Sequence, residues 1–155
     1  MAVQLAKQRG LEVTAVTSGA NGPLMKKLGA DHVIDYRVED FTTNGQRYDV
    51  IMDAYGSAPY SKVKGSLTPT GRHLTVAGGL GAMLTAARRK EVILRDEKNS
   101  PPTPANFREL MTLAGDGRIE PVIDTVLPFD QIAEAHRRVD GGHKVGSIVL
   151  TWDSP

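Results

Sequence analysis

The side chains best suited to acid–base or metal chemistry in this sequence are its histidines. They are His32, His73, His136 and His143, and they show no HxxxH or comparable spacing. The chain contains no cysteine, so thiolate zinc sites are excluded, and we predict that no metal is bound. A Ser-His-Asp or nucleophile-elbow pattern is also absent, so no catalytic residue is predicted. His136 falls on the apolar stripe of a predicted helix, which indicates a packed, hydrogen-bonded side chain.

The elements that must position any site alternate between helical and strand patterns. An amphipathic helix ends at Gly10, and the β-branched stretch LEVTAV (Leu11 to Val16) predicts the first strand. Thr103 as N-cap and Pro104 in the first turn predict the start of a later helix. Further strands are predicted at 32–36, 50–52, 72–79, 91–95 and 146–152, with a turn at 69–71. This alternation is typical of an α/β protein with a parallel sheet, and no linker divides residues 1–155, so one domain is predicted.

Composition limits the partners and the location of the chain. Nineteen basic residues stand against eighteen acidic ones in 155 residues, a net charge of +1. That balance argues against binding to nucleic acid or to an anionic membrane surface. The apolar runs are too short to cross a bilayer, and no signal-peptide pattern follows Met1. We therefore predict a cytoplasmic protein.

Many short segments, taken in order, resemble those of one family. They include AVQLAK, GLEVTAVTS, LGADHVIDY, YDVIMDAYG, LTPTGRHLTV, GRIEPVID and IAEAHRRVDGGHKVGSIVLT. Together they resemble the nucleotide-binding half of the medium-chain dehydrogenases/reductases, in the zinc-independent quinone-oxidoreductase branch. The similarity covers nearly the whole chain, with a weaker stretch from Gly81 to Asn106. It implies a Rossmann-like sheet with helices on both faces and the NADP(H)-binding domain of a quinone, enone or aldehyde reductase.

The resemblance also implies a truncated N-terminus. In the family, a glycine-rich turn joins the first strand to the helix that begins here at Ala2, and its N–H groups hold the cofactor pyrophosphate. The printed chain carries neither this turn nor the family's N-terminal substrate domain. We therefore expect an incomplete dinucleotide-binding domain that binds NADP weakly or not at all and is inactive alone. The alternative is a non-catalytic module that dimerises or is completed by a partner.

The stretch after the first strand, Thr17 to Asn21, bears on cofactor choice. Nucleotide-binding folds often place Asp or Glu there to accept hydrogen bonds from the adenosine ribose, and this chain has no carboxylate in it. A 2′-phosphate is therefore tolerated, which favours NADP(H) over NAD(H). The resemblance implies that Ser18, Asn21 and Tyr36 meet this phosphate, although Asn21 replaces a family Lys or Arg and supplies no charge. An alternative is that Ser18 and Asn21 only cap the following helix.

The resemblance implies that six further residues line the cofactor: Ala54, Tyr55, Gly56, Gly78, Gly79 and Lys144. The first three follow a predicted strand in a segment that passes the cofactor in the family. The two glycines end another strand, where the backbone approaches the nicotinamide. Judged from the residues alone, these glycines suit an ordinary strand-to-helix turn equally well, and the lysine suits a solvated surface turn.

The missing first strand has a structural consequence. In the family's sheet order, 3-2-1-4-5-6, that strand is central, and each buried polar group left unpaired would cost about 1–3 kcal/mol. We expect either that LEVTAV and DVIMDA (49–54) pair directly or that another chain donates a strand. Family members join their sheets through their last strands, so the resemblance implies a homodimer interface at GSIVLTW, Gly146 to Trp152.

Overall fold

The computed structural model describes residues 1–76, 79–94, 103–142 and 144–152. Its helices are α1 (Ala2–Gln8), α2 (Gly22–Lys27), α3 (Tyr60–Val63), α4 (Leu80–Arg88), α5 (Pro104–Gly115) and α6 (Ile132–Asp140). Its strands are β1 (Thr14–Thr17), β2 (His32–Asp35), β3 (Tyr48–Asp53), β4 (Leu67–Thr75), β5 (Val92–Leu94), β6 (Ile123–Pro128) and β7 (Ser147–Thr151). Within these ranges, no helix combines the length and the apolar character that crossing a bilayer requires.

The strands form three small parallel sheets. β1 pairs with β2, β3–β4–β5 form a second sheet, and β6 pairs with β7. The predicted α/β class with parallel strands is therefore confirmed, but the described residues do not form one continuous sheet. The prediction that segments 11–16 and 49–54 pair directly is wrong, since β1 lies beside β2 and β3 lies beside β4.

The doubly wound strand order accounts for where the sheets divide. In the order 3-2-1-4-5-6, β1 and β2 correspond to positions 2 and 3, and β3, β4 and β5 correspond to positions 4, 5 and 6. Among the described residues, no strand takes position 1. β1 and β3 therefore each keep one edge without a strand partner in this part of the chain, and such an edge can accept an added strand.

Two compact units can be distinguished. Unit 1 comprises Met1–Ala15, Ala20–Val33 and Arg108–Pro155, and unit 2 comprises Val16–Gly19 and Ile34–Phe107. A buried cluster of Ile51, Val63 and Leu67 forms a core in unit 2, with aromatic side chains packed against it. Because side chains alternate along a strand, Ile51 and Asp53 of β3 share the buried face. The face of β3 that holds Ile51 and Asp53 is therefore the face that packs against the core of unit 2.

The other face of this sheet is apolar and open. On β3, Val50 and Met52 are 53% and 47% exposed. Met52 lies in register with Leu74 of β4, and Leu74 with Ile93 of β5. Apolar side chains therefore continue across three strands on a face that a doubly wound fold would cover with helices.

In unit 1, α1 is tied to the segment after α5 by two glutamine side chains. Gln4 is buried; its Nε2 donates to the Glu120 carbonyl (2.8 Å), and its Oε1 accepts from the Glu120 N–H (2.7 Å). Gln8 exchanges a similar pair of bonds with Arg118 at the surface, 2.8 Å and 3.0 Å long. The buried amide thus satisfies both backbone groups of Glu120, as a neighbouring strand would.

Replacing Gln4 by alanine should lower the free energy of unfolding by about 2 kcal/mol, because two part-buried backbone groups lose their partners. Urea unfolding followed by circular dichroism measures the change. The matched control is Gln8→Ala, which removes the exposed pair of bonds and should cost less than about 0.5 kcal/mol. Equal losses in the two variants would contradict a special role for the buried amide.

Two strands depart from their predicted bounds for local reasons. β1 begins only at Thr14, because the Val13 N–H donates to the Asp31 side chain (2.7 Å). β4 begins at Leu67 and so includes the predicted turn at 69–71. The β3–β4 register shifts there: Tyr48 pairs with Leu67, but Val50 pairs with Arg72. The turn residues therefore form an irregularity inside β4.

Candidate functional site

The ends of β1 and β2 bring an acidic and a basic side chain to one glycine of unit 2. The Tyr36 N–H donates to the Thr17 carbonyl (3.2 Å), which holds the two strand ends side by side. The Arg37 guanidinium donates to both Asp35 carboxylate oxygens, from Nε (3.1 Å) and from Nη2 (3.0 Å). A Cβ built on Gly19 would meet Asp35 Oδ2 and would lie 3.1 Å from Arg37 Nη2. The ion pair therefore lies directly against the Gly19 backbone.

Both members of this pair stay charged near neutral pH. The Arg37 side chain, with backbone N–H donors from Arg37 and Gly19, lowers the pKa of Asp35 to about 2. In return, Asp35 raises the pKa of Arg37. The Arg37 side chain is 57% exposed, so it is accessible to a ligand although it is paired. The strand ends thus present a cation whose counter-ion is a neighbouring side chain.

The structure places the three residues predicted to meet a 2′-phosphate near these strand ends. Ser18 is half-buried between β1 and Gly19, and Tyr36 is exposed directly after β2. Asn21 is the N-cap residue of α2, but its side chain makes no capping hydrogen bond. Asn21 thus takes the N-cap position that the alternative gave it, without a side-chain hydrogen bond, and the predicted phosphate contacts stay predictions.

The end of β3 is organised by a single carboxylate. Asp53 is 6% exposed and accepts N–H bonds from Tyr55 (3.2 Å), Gly56 (2.7 Å) and Ala58 (3.0 Å). Gly56 has φ +87°, a conformation that favours glycine. Ala54, Tyr55 and Gly56 are exposed along this turn. The turn predicted to pass the cofactor is thus held in one shape by Asp53.

A cavity of about 450 Å³ lies beside this turn in unit 2. Its lining includes Asp53, Gly56, Tyr60, His73, Thr75 and Gly79. Asp53 and Thr75 are the last residues of β3 and β4, and open α/β sheets bind ligands outside the carboxyl ends of their strands. Gly79 precedes α4, and a Cβ there would meet nothing within 4 Å. Gly78 lies outside the described residues.

His73 forms the inner wall of this cavity. It is 2% exposed, and neither ring nitrogen has a hydrogen-bond partner among the described residues. Burial lowers the pKa of His73, and the nearby Asp53 carboxylate opposes this only in part. The imidazole is therefore held in its neutral form, which carries one donor and one acceptor nitrogen.

The buried imidazole predicts a pH dependence of stability. The unfolded chain takes up a proton on His73 near pH 6.5, whereas the folded chain resists protonation to lower pH. The stabilisation that comes from keeping His73 neutral is therefore fully present above about pH 6.5. It is lost as the pH falls below that value, and the free energy of unfolding changes by no more than about 1.4 kcal/mol per pH unit. Urea unfolding at a series of pH values between about 5 and 8 measures the slope. The His73→Phe variant should flatten it.

His32 provides the matched control for this slope. It is exposed, and its Nε2 lies 2.8 Å from Glu12 Oε1. The His32→Gln variant controls for the loss of a histidine, and its slope should change less than that of His73→Phe. An unchanged slope in His73→Phe would contradict the assignment to the buried imidazole.

The remaining predicted residue belongs to unit 1. Lys144 Nζ donates to the Gly146 carbonyl (2.8 Å), within the turn that precedes β7. This contact is local, and the predicted role of Lys144 in lining a cofactor cleft stays a prediction. No group of three or more potential metal-binding His, Cys, Asp or Glu side chains occurs in the described ranges.

Sequence reasoning missed the roles that four residues have in the site. Arg37 and Asp35 carry the charge at the first strand ends, and Asp53 and His73 shape the cavity. The Asp53 turn carries a recognisable signal, an aspartate at a strand end with glycine three residues later. The sequence VIDYR also places Asp35 two residues before Arg37, although their meeting at Gly19 depends on the tertiary fold.

The fold is that of an α/β protein with parallel strands, and comparison with known proteins gives its family. The chain belongs to the zinc-binding dehydrogenase family, which matches residues 28–150. Its relatives are quinone-oxidoreductase-like members of the medium-chain dehydrogenases/reductases, so the predicted resemblance is confirmed at this level. The family description mentions zinc, but the predicted zinc independence of this chain stays a prediction.

Individual relatives support this placement. The chloroplastic quinone-oxidoreductase homolog of Spinacia oleracea is 30% identical over 157 residues, which are 96% of this chain and 47% of that protein. The quinone oxidoreductase structure from Coxiella burnetii aligns with TM-score 0.81 at 24% identity, over 96% of this chain and 47% of the other. The Escherichia coli quinone oxidoreductase complexed with NADPH aligns with TM-score 0.74 at 20% identity, over 96% and 52%. These two structures show the shared fold.

Coverage sets the scope of the comparison. This chain spans about half the length of the relatives it matches, 47% in the spinach protein. The homology therefore concerns one part of those oxidoreductases.

Proposed function

We propose that the chain is the NADP(H)-binding part of a zinc-independent oxidoreductase that acts on quinones, enones or aldehydes. The observation that carries this proposal is the cavity at the carboxyl ends of β3 and β4, lined by Asp53, Gly56, Thr75 and Gly79, in a chain of this family. The E. coli quinone oxidoreductase of the same fold was solved in complex with NADPH, which supports the choice of cofactor.

The residues present fit the two ends of such a cofactor. The open space at Gly79 and the positive φ of Gly56 leave room for close approach of a flat ring. Ser18 and Tyr36 offer hydroxyl donors at the other end, beside the Arg37 cation. When bound, the nicotinamide supplies hydride chemistry.

The chain's own residues would bind and orient the cofactor. Asp53 fixes the turn beside the cavity, and the buried, neutral His73 lines the same cavity. Ser18 and Tyr36 of unit 2 would hold the ribose phosphate. For the uncharged Asn21 and for Lys144, both in unit 1, contact with the cofactor stays a prediction. The glycine-rich turn that holds the pyrophosphate in the family is not among these 155 residues, so we propose weak binding and no turnover by this chain alone.

Titration of the purified chain with NADPH and NADH tests this function. Nicotinamide fluorescence and thermal shift should both show saturable binding near micromolar concentration, roughly −8 kcal/mol, with NADPH preferred. A chain that binds neither nucleotide, while unfolding cooperatively, would refute the proposal.

A second candidate function rests on the open strand edges. β1 and β3 each lack a strand partner on one side among the described residues, and Val50 and Met52 of β3 are exposed. On this alternative the chain is a non-catalytic module that a partner strand completes, or that dimerises through residues 146–152. Trp152 is exposed there, with its ring 4.4 Å from that of Phe129. A stable dimer in sedimentation velocity without nucleotide binding would favour this alternative, whereas a monomer that binds NADPH would exclude it.

A further inference from the structure

We propose that Asp35 and Arg37 together determine which adenosine ribose the chain accepts. In this role, Arg37 supplies the cation for a 2′-phosphate, and Asp35 restrains that cation and opposes the phosphate. The inference rests on the proposed function, since it concerns the same cofactor site. It assigns the charge that the sequence lacks at Asn21 to a residue on the neighbouring strand end.

The position of the pair supports this role. Dinucleotide-binding folds select a ribose 2′-hydroxyl with an acidic side chain and accommodate a 2′-phosphate with a nearby arginine. This chain has no carboxylate within Thr17 to Asn21, but Asp35 Oδ2 lies against Gly19 in the middle of that stretch. Arg37 Nη2 would lie 3.1 Å from a Cβ at the same glycine. Both kinds of selecting group therefore meet at one place.

The charges around the pair support the division of roles. The next acidic residues along the chain have other partners. Glu39 contacts Asn44, and Asp40 contacts both Thr42 and Lys62. Among the described residues, the Arg37 side chain donates to Asp35, at 3.0 Å and 3.1 Å. An exposed ion pair of this kind opens at little cost. A phosphate, with more charge and three acceptor oxygens, can therefore compete with Asp35 for the guanidinium.

Adenosine 2′-monophosphate and adenosine 5′-monophosphate are the probes for the pair itself. In the 155-residue chain, the NMR signal of the Arg37 Nε–H should shift saturably with the 2′-phosphate compound and several-fold less with the 5′-phosphate compound. Asp35→Asn should tighten the 2′-phosphate response about threefold to tenfold, because the cation is released and a repelling charge is removed. Arg37→Gln should abolish the preference, and the exposed Lys64→Gln serves as the matched cation control.

The same variants are then titrated with NADPH and NADH. Arg37→Gln should weaken NADPH about tenfold and leave NADH within about twofold. If NADPH binds but its preference over NADH is unchanged in Arg37→Gln, the inference is wrong and the proposed function stands. A second outcome is that neither dinucleotide binds, but Arg37→Gln still abolishes the preference for adenosine 2′-monophosphate. In that case the proposed function fails, and the role of the Asp35–Arg37 pair stands. Absence of both responses overturns both proposals.

Discussion

Replacing Gly146 by alanine should lower the free energy of unfolding by about 4 kcal/mol. Gly146 has φ +109°, and a Cβ there would meet the Val122 carbonyl oxygen and lie 2.8 Å from Val122 Cγ1. The neighbouring Ser147 N–H donates to that same carbonyl (2.8 Å), at the point where β7 joins β6. Alanine would therefore both strain the backbone and separate the two strands. Urea unfolding gives the loss of stability, and hydrogen exchange at residues 147–151 shows where it acts.

Gly142→Ala is the matched control in the same loop. Gly142 also has a positive φ, +70°, but a Cβ there would meet nothing within 4 Å. In Gly142→Ala, only the strain of a non-glycine residue at positive φ should lower the free energy of unfolding, by about 1 kcal/mol. If the two alanine variants lose equal stability, the close approach to Val122 does not limit this position.

Replacing Asp53 by alanine should cost about 3 kcal/mol of unfolding free energy, because Tyr55, Gly56 and Ala58 all donate backbone N–H groups to its buried carboxylate. The turn beside the cavity would lose its shape along with its stability. Asp53→Asn should have an intermediate effect, since an amide retains one acceptor oxygen but turns an NH₂ group towards one of the donors. Chemical unfolding of both variants measures the order.

Asp49→Ala, on the same strand, controls for loss of an aspartate from β3. Its side chain is exposed and accepts one bond, from the Thr68 hydroxyl (2.9 Å). Its loss should cost less than about 0.5 kcal/mol. An Asp53→Ala variant as stable as Asp49→Ala would show that the buried carboxylate does not organise the turn.

The elements that could be predicted from the sequence are those fixed by local signals. α5 begins directly after the predicted N-cap: the Asn106 N–H donates to the Thr103 hydroxyl (3.2 Å), and Thr103 donates back to the Asn106 side chain. The late start of β1 was not predictable in the same way, because Asp31, 18 residues further on, binds the Val13 N–H. Contacts between distant residues decide such boundaries.

The histidines illustrate the same limit at the site. The apolar stripe of α6 predicted a packed His136, but this side chain is exposed. That prediction is wrong because the stripe faces the core mainly through Ala135, the buried residue of α6. His73, which lies between Arg72 and Leu74 on β4, is the buried one. Its burial follows from the alternation of β4 beneath the cavity, which depends on the strand register.

The strand order was predictable from the resemblance. The separation of the strands into sheets that do not pair across the missing position was not. The two sheets that contain β1 and β3 match the two sides of the order 3-2-1-4-5-6. Direct pairing of β1 with β3 would have joined these sheets, but each strand keeps the neighbour that the family order gives it. We therefore propose that a strand from another chain pairs with the open edges.

Chemical-shift mapping of the isotopically labelled chain during an NADPH titration tests the central claim most directly, because it reports where the nucleotide binds as well as whether it binds. The account predicts saturable shifts concentrated at Ser18, Gly19, Tyr36 and Arg37 and along the Asp53–Gly56 turn. Shifts confined to β6 and β7, or no saturable shift from a folded chain, would contradict it.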